Sequence, residues 1–157
     1  MFTNANLTEA LFEDCTWSHC ELSNCGVHGT RFRRARISQS RARGVQFFNC
    51  HTFGLEFEFI ECNLSYSSFS GLHLPRTKFK NCKLNETDFQ ESELVGSDFE
   101  GRDLTGTIFH RTNLTKCDLS QAEGVCLDLE HNRVKGLKLS LSGATSTLAA
   151  LGIELEL

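Results

Sequence analysis

A large apolar residue recurs at every fifth position through most of this chain, and this period restricts the fold more than any other feature. From Phe79 to Leu119, every fifth residue is Phe or Leu. A period of five fits neither the α-helix, with about 3.6 residues per turn, nor the β-strand, with about two. It therefore indicates a repeated unit of five residues in which the same position always faces the core.

The repeats fall into two registers that differ by two residues. One register of large central residues runs from Phe2 to Phe57, and a second runs from Phe59 to Leu139. Thr52 is a poor centre, and Phe57 and Phe59 compete for one position, so two extra residues are expected to bulge out near 52–58. The residue two before each centre is usually small, and the residue directly before it is often Asn or Asp.

This pattern resembles the loose A(D/N)Lxx consensus of the pentapeptide-repeat family over about residues 1–139. The resemblance implies an all-β solenoid, a right-handed quadrilateral β-helix in which four repeats form one square coil of twenty residues. About seven coils would stack at roughly the 4.8 Å spacing of β-strands. A short C-terminal helix and strand would cap the rod.

A period of twenty also explains the alternation of Phe and Leu. Centres twenty residues apart would stack, giving two aromatic columns that face each other across the rod and two Leu columns between them. Offset or tilted rings would add about 0.5–1.5 kcal/mol per pair beyond their burial. The predicted aromatic columns are Phe59, Phe79, Phe99 and Phe69, Phe89, Phe109.

Seven of the eight cysteines fall at the small inward position, and Cys126 falls at an outward one. Cys15, Cys20 and Cys25 lie on three successive sides of one coil, so they cannot converge on a zinc ion. A small buried hydrophobe is the simpler interpretation. Reduced thiols, with no apparent signal peptide or membrane span, lead us to expect a cytoplasmic protein.

No group of residues suggests catalysis. The six histidines occupy outward offsets scattered along the rod, including His110 and His131. The chain has no P-loop, HExxH or GxGxxG motif, and a convex rod lacks the concave pocket that catalysis favours. We predict no enzymatic activity, no cofactor and no metal site.

Residues 31–43 contain six arginines and no acid. Along the chain alone, such a run suggests a nucleic-acid-binding patch. The period of twenty favours another interpretation, because four of these arginines would meet an acid in a neighbouring coil. A charge-paired surface is favoured, and a basic binding band stays open. The expected pairs are Glu13–Arg33, Asp14–Arg34, Glu21–Arg41 and Arg36–Glu56.

The segment 84–104 is strongly acidic, and it is the candidate partner-binding surface. All its acids occupy outward offsets; some have a base twenty residues away, as Lys78 is for Asp98 and Lys83 for Asp103, whereas Glu86, Asp88 and Glu93 have none. A merely solvated face is the alternative interpretation. The candidate residues are Glu86, Asp88, Glu91, Glu93, Asp98, Glu100 and Asp103.

The repeats stop after Leu139, and residues 140–157 are predicted to form a cap and a dimerisation tail. Ser142 can cap a short helix through Leu151 that Gly152 ends. An uncapped coil would expose apolar residues and a sheet edge. The alternation after Gly152 predicts a short strand. The candidate cap and dimer residues are Leu148, Leu151, Ile153, Leu155 and Leu157.

This tail, with the segments CNLSYSSFS and TNLTKCDLSQAEG, is similar to the Qnr-type quinolone-resistance subgroup. The resemblance implies a homodimer through the C-terminal ends that protects DNA gyrase and topoisomerase IV from quinolones. It also implies mimicry of B-DNA by a continuous negative face, with no binding of nucleic acid itself. The alternative is a cytoplasmic scaffolding repeat protein with a different partner.

Overall fold

The computed structural model describes residues 1–101 and 103–156. The chain winds into a β-solenoid of about six turns with a short helix at its C-terminal end. This confirms the predicted fold class, and the number of turns is close to the seven expected.

Short parallel strands mark the sides of the coils. The strands are β1 Leu11–Glu13, β2 Thr16–Ser18, β3 Arg31–Arg33, β4 Ala35–Ser38, β5 Phe57–Ile60, β6 Lys78–Lys80, β7 Asp118–Leu119 and β8 Lys138–Leu139, with a 3-10 helix at Phe47–Asn49. Strands β2, β4, β5 and β6 form one sheet in that order, while β1 pairs with β3 and β7 with β8. Isolated parallel bridges continue the ladders, as between Asn63 and Lys83.

The two predicted aromatic columns form the centre of the core. Phe79 stacks on Phe59 with ring centroids 5.6 Å apart and planes 9° apart. Phe89 stacks on Phe69 at 5.2 Å and 8°. Across the rod, Phe79 and Phe89 meet edge to face at 5.4 Å. A phenylalanine within these columns, such as Phe79, therefore contacts rings above, below and opposite.

The small inward position has a second role besides its size. In several coils its hydroxyl or thiol donates a hydrogen bond to the carbonyl of a repeat centre one coil below, twenty-three residues earlier. Thr87 donates to the carbonyl oxygen of Leu64 at 3.1 Å, and Cys117 donates to that of Leu94 at 2.9 Å. Such a carbonyl would otherwise leave part of its hydrogen-bonding capacity unused in the core. This explains why Ser, Thr and Cys recur where Ala would also fit.

The cysteines at this position are structural, as predicted. Cys15 and Cys20 are half-buried, the other five inward cysteines are buried, and Cys126 is exposed; none of the eight forms a disulfide. Burial raises the pKa of Cys50 to about 12 and that of Cys117 to about 11. Because the thiolate is the reactive form, these two thiols are poor nucleophiles near neutral pH.

The Asn or Asp before each centre shapes the corner of the coil. Asp98 Oδ1 accepts the backbone N–H of Glu100 at 3.0 Å, and Asn113 Oδ1 accepts that of Thr115 at 3.1 Å. The residue two after a centre then takes a positive φ, such as 55° at Glu86. Short side chains that bond the backbone two residues on are favoured in such turns. Many aspartates of this surface thus have a role in the fold itself.

The strand pairing shifts by two residues near the bulge, and Phe57 is not a repeat centre. Beyond the slip, Ile37 pairs with Phe59 and Ala35 pairs with Phe57, a spacing of twenty-two residues. Phe57 therefore occupies the small inward position, where it is 4% exposed. The prediction that made it the last centre of the first register was wrong.

A missing centre leaves the space that Phe57 fills. Thr52, the poor centre of this coil, is exposed, and Leu55 is only half-buried. The Phe57 ring packs against Phe32 at 5.0 Å and against Phe47 at 5.4 Å between centroids. Residues 51–54 bulge into solvent and leave Phe53 74% exposed.

The C-terminal helix α1 spans Leu141–Ala150 and begins earlier than predicted. Its N-cap is Ser140, whose hydroxyl accepts the Gly143 N–H at 3.1 Å. Ser142, the predicted cap, lies inside the first turn. Gly152 has a φ of 74°, a left-handed conformation that favours glycine, and it follows the helix as predicted.

Small residues, and not leucines, press α1 against the last coil. Gly143 and Thr147 are the buried residues of the helix, and the Thr147 hydroxyl accepts the Leu127 N–H at 3.1 Å. A Cβ on Gly143 would lie 3.3 Å from Val125 Cβ, so the helix backbone approaches too closely for a large side chain. Leu148 is only half-buried.

The rest of the tail differs from the prediction. Leu151, Ile153 and Leu155 are 42%, 46% and 50% exposed. Residues 153–156 form no strand, and Leu157 lies outside the described residues. No helix in the described part of the chain has the length and apolarity to cross a membrane.

Candidate protein-binding surface

The acidic segment 84–104 forms one coil, so its carboxylates surround the rod. Glu86 and Asp88 lie beside the Phe89 side of the coil, and Glu93 lies on the Leu94 side. Asp98 and Glu100 flank Phe99, and Asp103 precedes Leu104. Bridges to residues twenty positions later place Asp88, Glu93, Asp98 and Asp103 on four successive sides of the coil. The candidate acids therefore do not form one continuous face.

Three of the seven acids form partly exposed ion pairs with bases in other coils. Two of these pairs follow the predicted spacing of twenty. Glu93 was predicted to lack a base but reaches one two coils away. Exposed pairs contribute about 0–1 kcal/mol each, and their main effect here is to neutralise charge. The pairs are Glu91–Arg111 at 3.4 Å, Glu100–Lys80 at 3.4 Å and Glu93–Arg133 at 3.9 Å.

Asp98 does not receive the base predicted for it. Lys78 Nζ lies 3.6 Å from Glu58, in the coil on its other side. On the opposite flank Asp98 bridges to Asp118, whose partner is Lys138 at 3.1 Å. Asp98 thus forms no ion pair with another described residue.

Asp103 is held in its ionised form by neutral donors. Hydrogen bonds from Thr105 and Asn85 lower the pKa of Asp103, and the nearby charge of Lys83 lowers it further. The Asn85 Nδ2 to Asp103 Oδ2 distance is 2.5 Å. The predicted ion pair with Lys83 is absent among the described residues.

Glu86 and Asp88 line an open groove of about 360 Å³ together with two exposed aromatic rings. Phe48 is 44% exposed and Tyr66 is 56% exposed. Within the described ranges neither acid forms an ion pair; Asp88 Oδ2 accepts the Ser68 hydroxyl at 3.3 Å. We name this the acidic groove, lined by Gln46, Phe48, Tyr66, Ser67, Ser68, Ser70, Glu86 and Asp88.

The acidic groove places two exposed aromatic rings beside two carboxylates. Aromatic residues are enriched at protein interfaces, and charges there give specificity and speed of association. Sequence reasoning selected Glu86 and Asp88 but missed both rings. A large apolar residue at an outward offset, as Phe48 is beside the centre Phe47, was the feature that could have found them.

The arginine run 31–43 is largely neutralised, as the pairing interpretation predicted. One partner differs, because the slip moves the residue opposite Arg36 from Glu56 to Glu58. Arg43 lies over the Tyr66 ring, with its guanidinium carbon 5.4 Å from the centroid. The pairs are Arg33–Glu13 at 3.8 Å, Arg34–Asp14 at 2.5 Å, Arg36–Glu58 at 2.5 Å and Arg41–Glu21 at 3.7 Å.

Glu58→Gln is expected to lower the free energy of unfolding by about 0.2–1 kcal/mol, since Glu58 pairs with both Arg36 and Lys78. Glu56→Gln removes the same charge two residues away and is expected to have no measurable effect. Urea unfolding of both variants in low salt measures the difference. A larger loss from Glu56→Gln would contradict the shifted register.

Two histidines that were predicted to be scattered lie side by side. The rings of His110 and His131 have centroids 5.1 Å apart, and His131 Nδ1 lies 2.6 Å from Asp128 Oδ2. These histidines are twenty-one residues apart, which places them in adjacent coils with an offset of one. A spacing of twenty-one residues is close to one coil, so the sequence carried a signal for this contact.

Two models of pentapeptide repeats match the chain on either side of the slip. One, described as pentapeptide repeats in eight copies, matches residues 2–39, and the other, a pentapeptide repeat region, matches residues 55–128. Together they cover most of the chain. The chain belongs to the pentapeptide-repeat family.

Within this family the chain is similar to Qnr proteins. It is 33% identical over 78 residues to the pentapeptide repeat protein QnrB4 of Escherichia coli, a match that covers 48% of this chain. The match spans 36% of that relative, well under half of its length.

Solved structures show the same fold. Two trypsin-treated variants of QnrB1, a plasmid-mediated fluoroquinolone resistance protein, superpose with TM-scores of 0.61 and 0.56. The first is 24% identical and covers 97% of this chain and 73% of its own chain. The second is 22% identical, and the match covers 99% of this chain and 85% of the QnrB1 chain.

Proposed function

We propose that this protein binds a type II DNA topoisomerase, DNA gyrase or topoisomerase IV, and protects it from quinolones. The observation that carries the proposal is the 33% identity to QnrB4 over 78 residues. QnrB1, a fluoroquinolone resistance protein, has the same fold. Binding alone would suffice for this activity, so no catalytic group is required.

The proposed contact is the acidic groove. Surfaces that hold DNA carry lysine and arginine opposite the phosphates. The carboxylates of Glu86 and Asp88, without ion-pair partners among the described residues, could take the place of phosphates on such a surface. Phe48 and Tyr66 would add apolar contact area beside them. Because the other acids surround the rod and many are paired, we favour this local contact over mimicry of a long stretch of DNA.

We further propose that two copies associate through their C-terminal ends. Leu151, Ile153 and Leu155 are 42–50% exposed, and Leu141 at the start of α1 is 85% exposed. These apolar side chains lie at the end of the rod, where a second copy related by two-fold symmetry would bury the same residues from both chains. The end of the rod is the part of the described surface where exposed aliphatic residues concentrate.

A supercoiling assay tests the proposal. Purified gyrase inhibited by ciprofloxacin would be titrated with the folded protein at two salt concentrations. We expect supercoiling to recover and the recovery to weaken at the higher salt, because salt screens exposed charges. Absence of any effect from folded protein would overturn the proposal in favour of a scaffolding protein with another partner.

Charge variants test the groove itself. Replacing Glu86 by Gln together with Asp88→Asn is expected to raise the protein concentration needed for rescue by about tenfold, a loss near 1.4 kcal/mol. Asn at 88 keeps an oxygen for the corner hydrogen bond to the Gln90 N–H. The matched control replaces Glu91 and Glu100 by Gln, which removes the same charge from paired acids of the same coil. Equal effects of the two double variants would mean that the overall negative charge of the coil, and not the acidic groove, determines the rescue.

A further inference from the structure

Three side chains with metal-binding atoms converge on the outer surface near the C-terminal end of the rod. One ligand atom from each of His110, Asp128 and His131 lies within 4.8 Å of the other two. Two imidazoles and one carboxylate are a set that Zn²⁺ uses in sites with an open fourth position. Close coordination requires these side chains to rotate and the hydrogen bond between His131 and Asp128 to open, and all three side chains are at least partly exposed.

A buried asparagine fixes the loop that carries two of these ligands. Asn132 is 8% exposed, and its Nδ2 donates to the carbonyl oxygens of Phe109 at 2.8 Å and Asp128 at 2.7 Å. Its Oδ1 accepts the Thr112 N–H at 2.8 Å. Residues 128–132 are thereby tied to the coil that carries His110, so the ligands are positioned by the backbone before an ion binds.

The aspartate is oriented as well. Asp128 Oδ1 accepts the backbone N–H groups of Glu130 at 3.0 Å and His131 at 3.3 Å. This leaves Oδ2 directed towards the His131 ring. Neighbours of this kind, which orient the first ligands, are typical of metal sites and raise their affinity.

The fold does not by itself require this arrangement. Corners elsewhere in the rod form with the same backbone hydrogen bond and no histidine, as at Asp118 and Ser120. A surface ion pair between Asp128 and His131 would need only one imidazole. A metal ion would also account for the neighbouring His110 ring, because it would bind both imidazoles.

We infer that His110, Asp128 and His131 form a binding site for a divalent transition-metal ion, with Zn²⁺ the best match to the ligand set. The fourth position would be taken by water. Because His110 lies one coil below the loop, the ion would join two successive coils close to α1. A ligand that binds only the folded state stabilises it, so the ion would strengthen the end of the rod.

Zinc titration tests this inference independently of any topoisomerase. The chelator-treated chain would carry Cys126→Ser, since that exposed thiol could bind zinc itself. Calorimetric titration with ZnCl₂ should give one ion per chain and a raised melting temperature. MgCl₂ should give neither, because Mg²⁺ prefers oxygen ligands. Co²⁺ in place of Zn²⁺ should give the visible absorption of a low-coordinate site.

Matched variants locate the site. His131→Ala is expected to weaken zinc binding by more than about 100-fold. Losing a residue that only hydrogen-bonds to a metal ligand typically costs about 10–100-fold. Asp128→Asn keeps the oxygen that forms the corner but removes the charge, and we expect at least about a tenfold loss. His73→Ala, at an exposed histidine elsewhere on the rod, should bind like the parent chain. No binding by the parent chain, or undiminished binding by both site variants, would overturn the inference.

Discussion

Phe89→Ala is expected to lower the free energy of unfolding by about 3–5 kcal/mol, the usual cost of removing a buried phenylalanine side chain. The side chain is fully buried, at 0% exposure. It stacks between Phe69 at 5.2 Å and Phe109 at 5.5 Å, and it meets Phe79 and Phe99 edge to face. The coils above and below are held by their own hydrogen bonds, so the cavity cannot easily close and four rings lose a neighbour.

Urea unfolding followed by circular dichroism measures this effect. Phe53→Ala is the matched control, because it makes the same chemical change in a side chain that is 74% exposed on the bulge. We expect the control to change stability by less than about 0.5 kcal/mol. An unchanged unfolding curve for Phe89→Ala would contradict the stacked register on which the whole core depends.

Removal of residues 141–157 is expected to cost on the order of 3–6 kcal/mol and to cause aggregation. Helix α1 covers Val125 and Leu127, and re-exposing two such side chains accounts for that energy. The Leu127 N–H would also lose its bond to Thr147. An open apolar end with unpaired backbone groups pairs readily with other chains. Thermal unfolding and size-exclusion chromatography measure both consequences.

A shorter truncation separates the cap from the proposed dimer contact. Removing only 153–157 leaves α1 intact and takes away Ile153 and Leu155, which are 46% and 50% exposed. We expect the dimer to dissociate and the monomer to keep its folded cap, so the melting temperature should fall only by the small amount that the lost association contributes. A dimer that survives this truncation would place the interface elsewhere, and a large loss of stability would mean that the last residues belong to the cap.

The sequence predicted which acids face outward, but it did not predict which of them also hydrogen-bond to the backbone of the coil. Asp88, Asp98 and Asp103 were selected as acids, yet each also accepts a backbone N–H at a corner of the coil. Turn chemistry and charge use the same residue type, so composition could not separate them. Glu86 has no such corner bond, and it lies in the acidic groove beside Tyr66.

The sequence by itself determined the solenoid, the aromatic columns and the place of the slip. A repeated backbone turns every fifth side chain inward, so the period alone states which residues are buried and which of them stack. Even the inward cysteines followed from this rule, because position in the repeat decides burial.

Only the tertiary structure decided which surface groups meet. Lys78 has acids on both sides, Glu58 and Asp98, and it pairs with Glu58. The same limit applies to His110, Asp128 and His131, which lie at three different offsets yet meet at one corner. An inward side chain has one direction and one neighbour in each adjacent coil. An outward one can rotate towards several, so its partner depends on the three-dimensional arrangement of the coils.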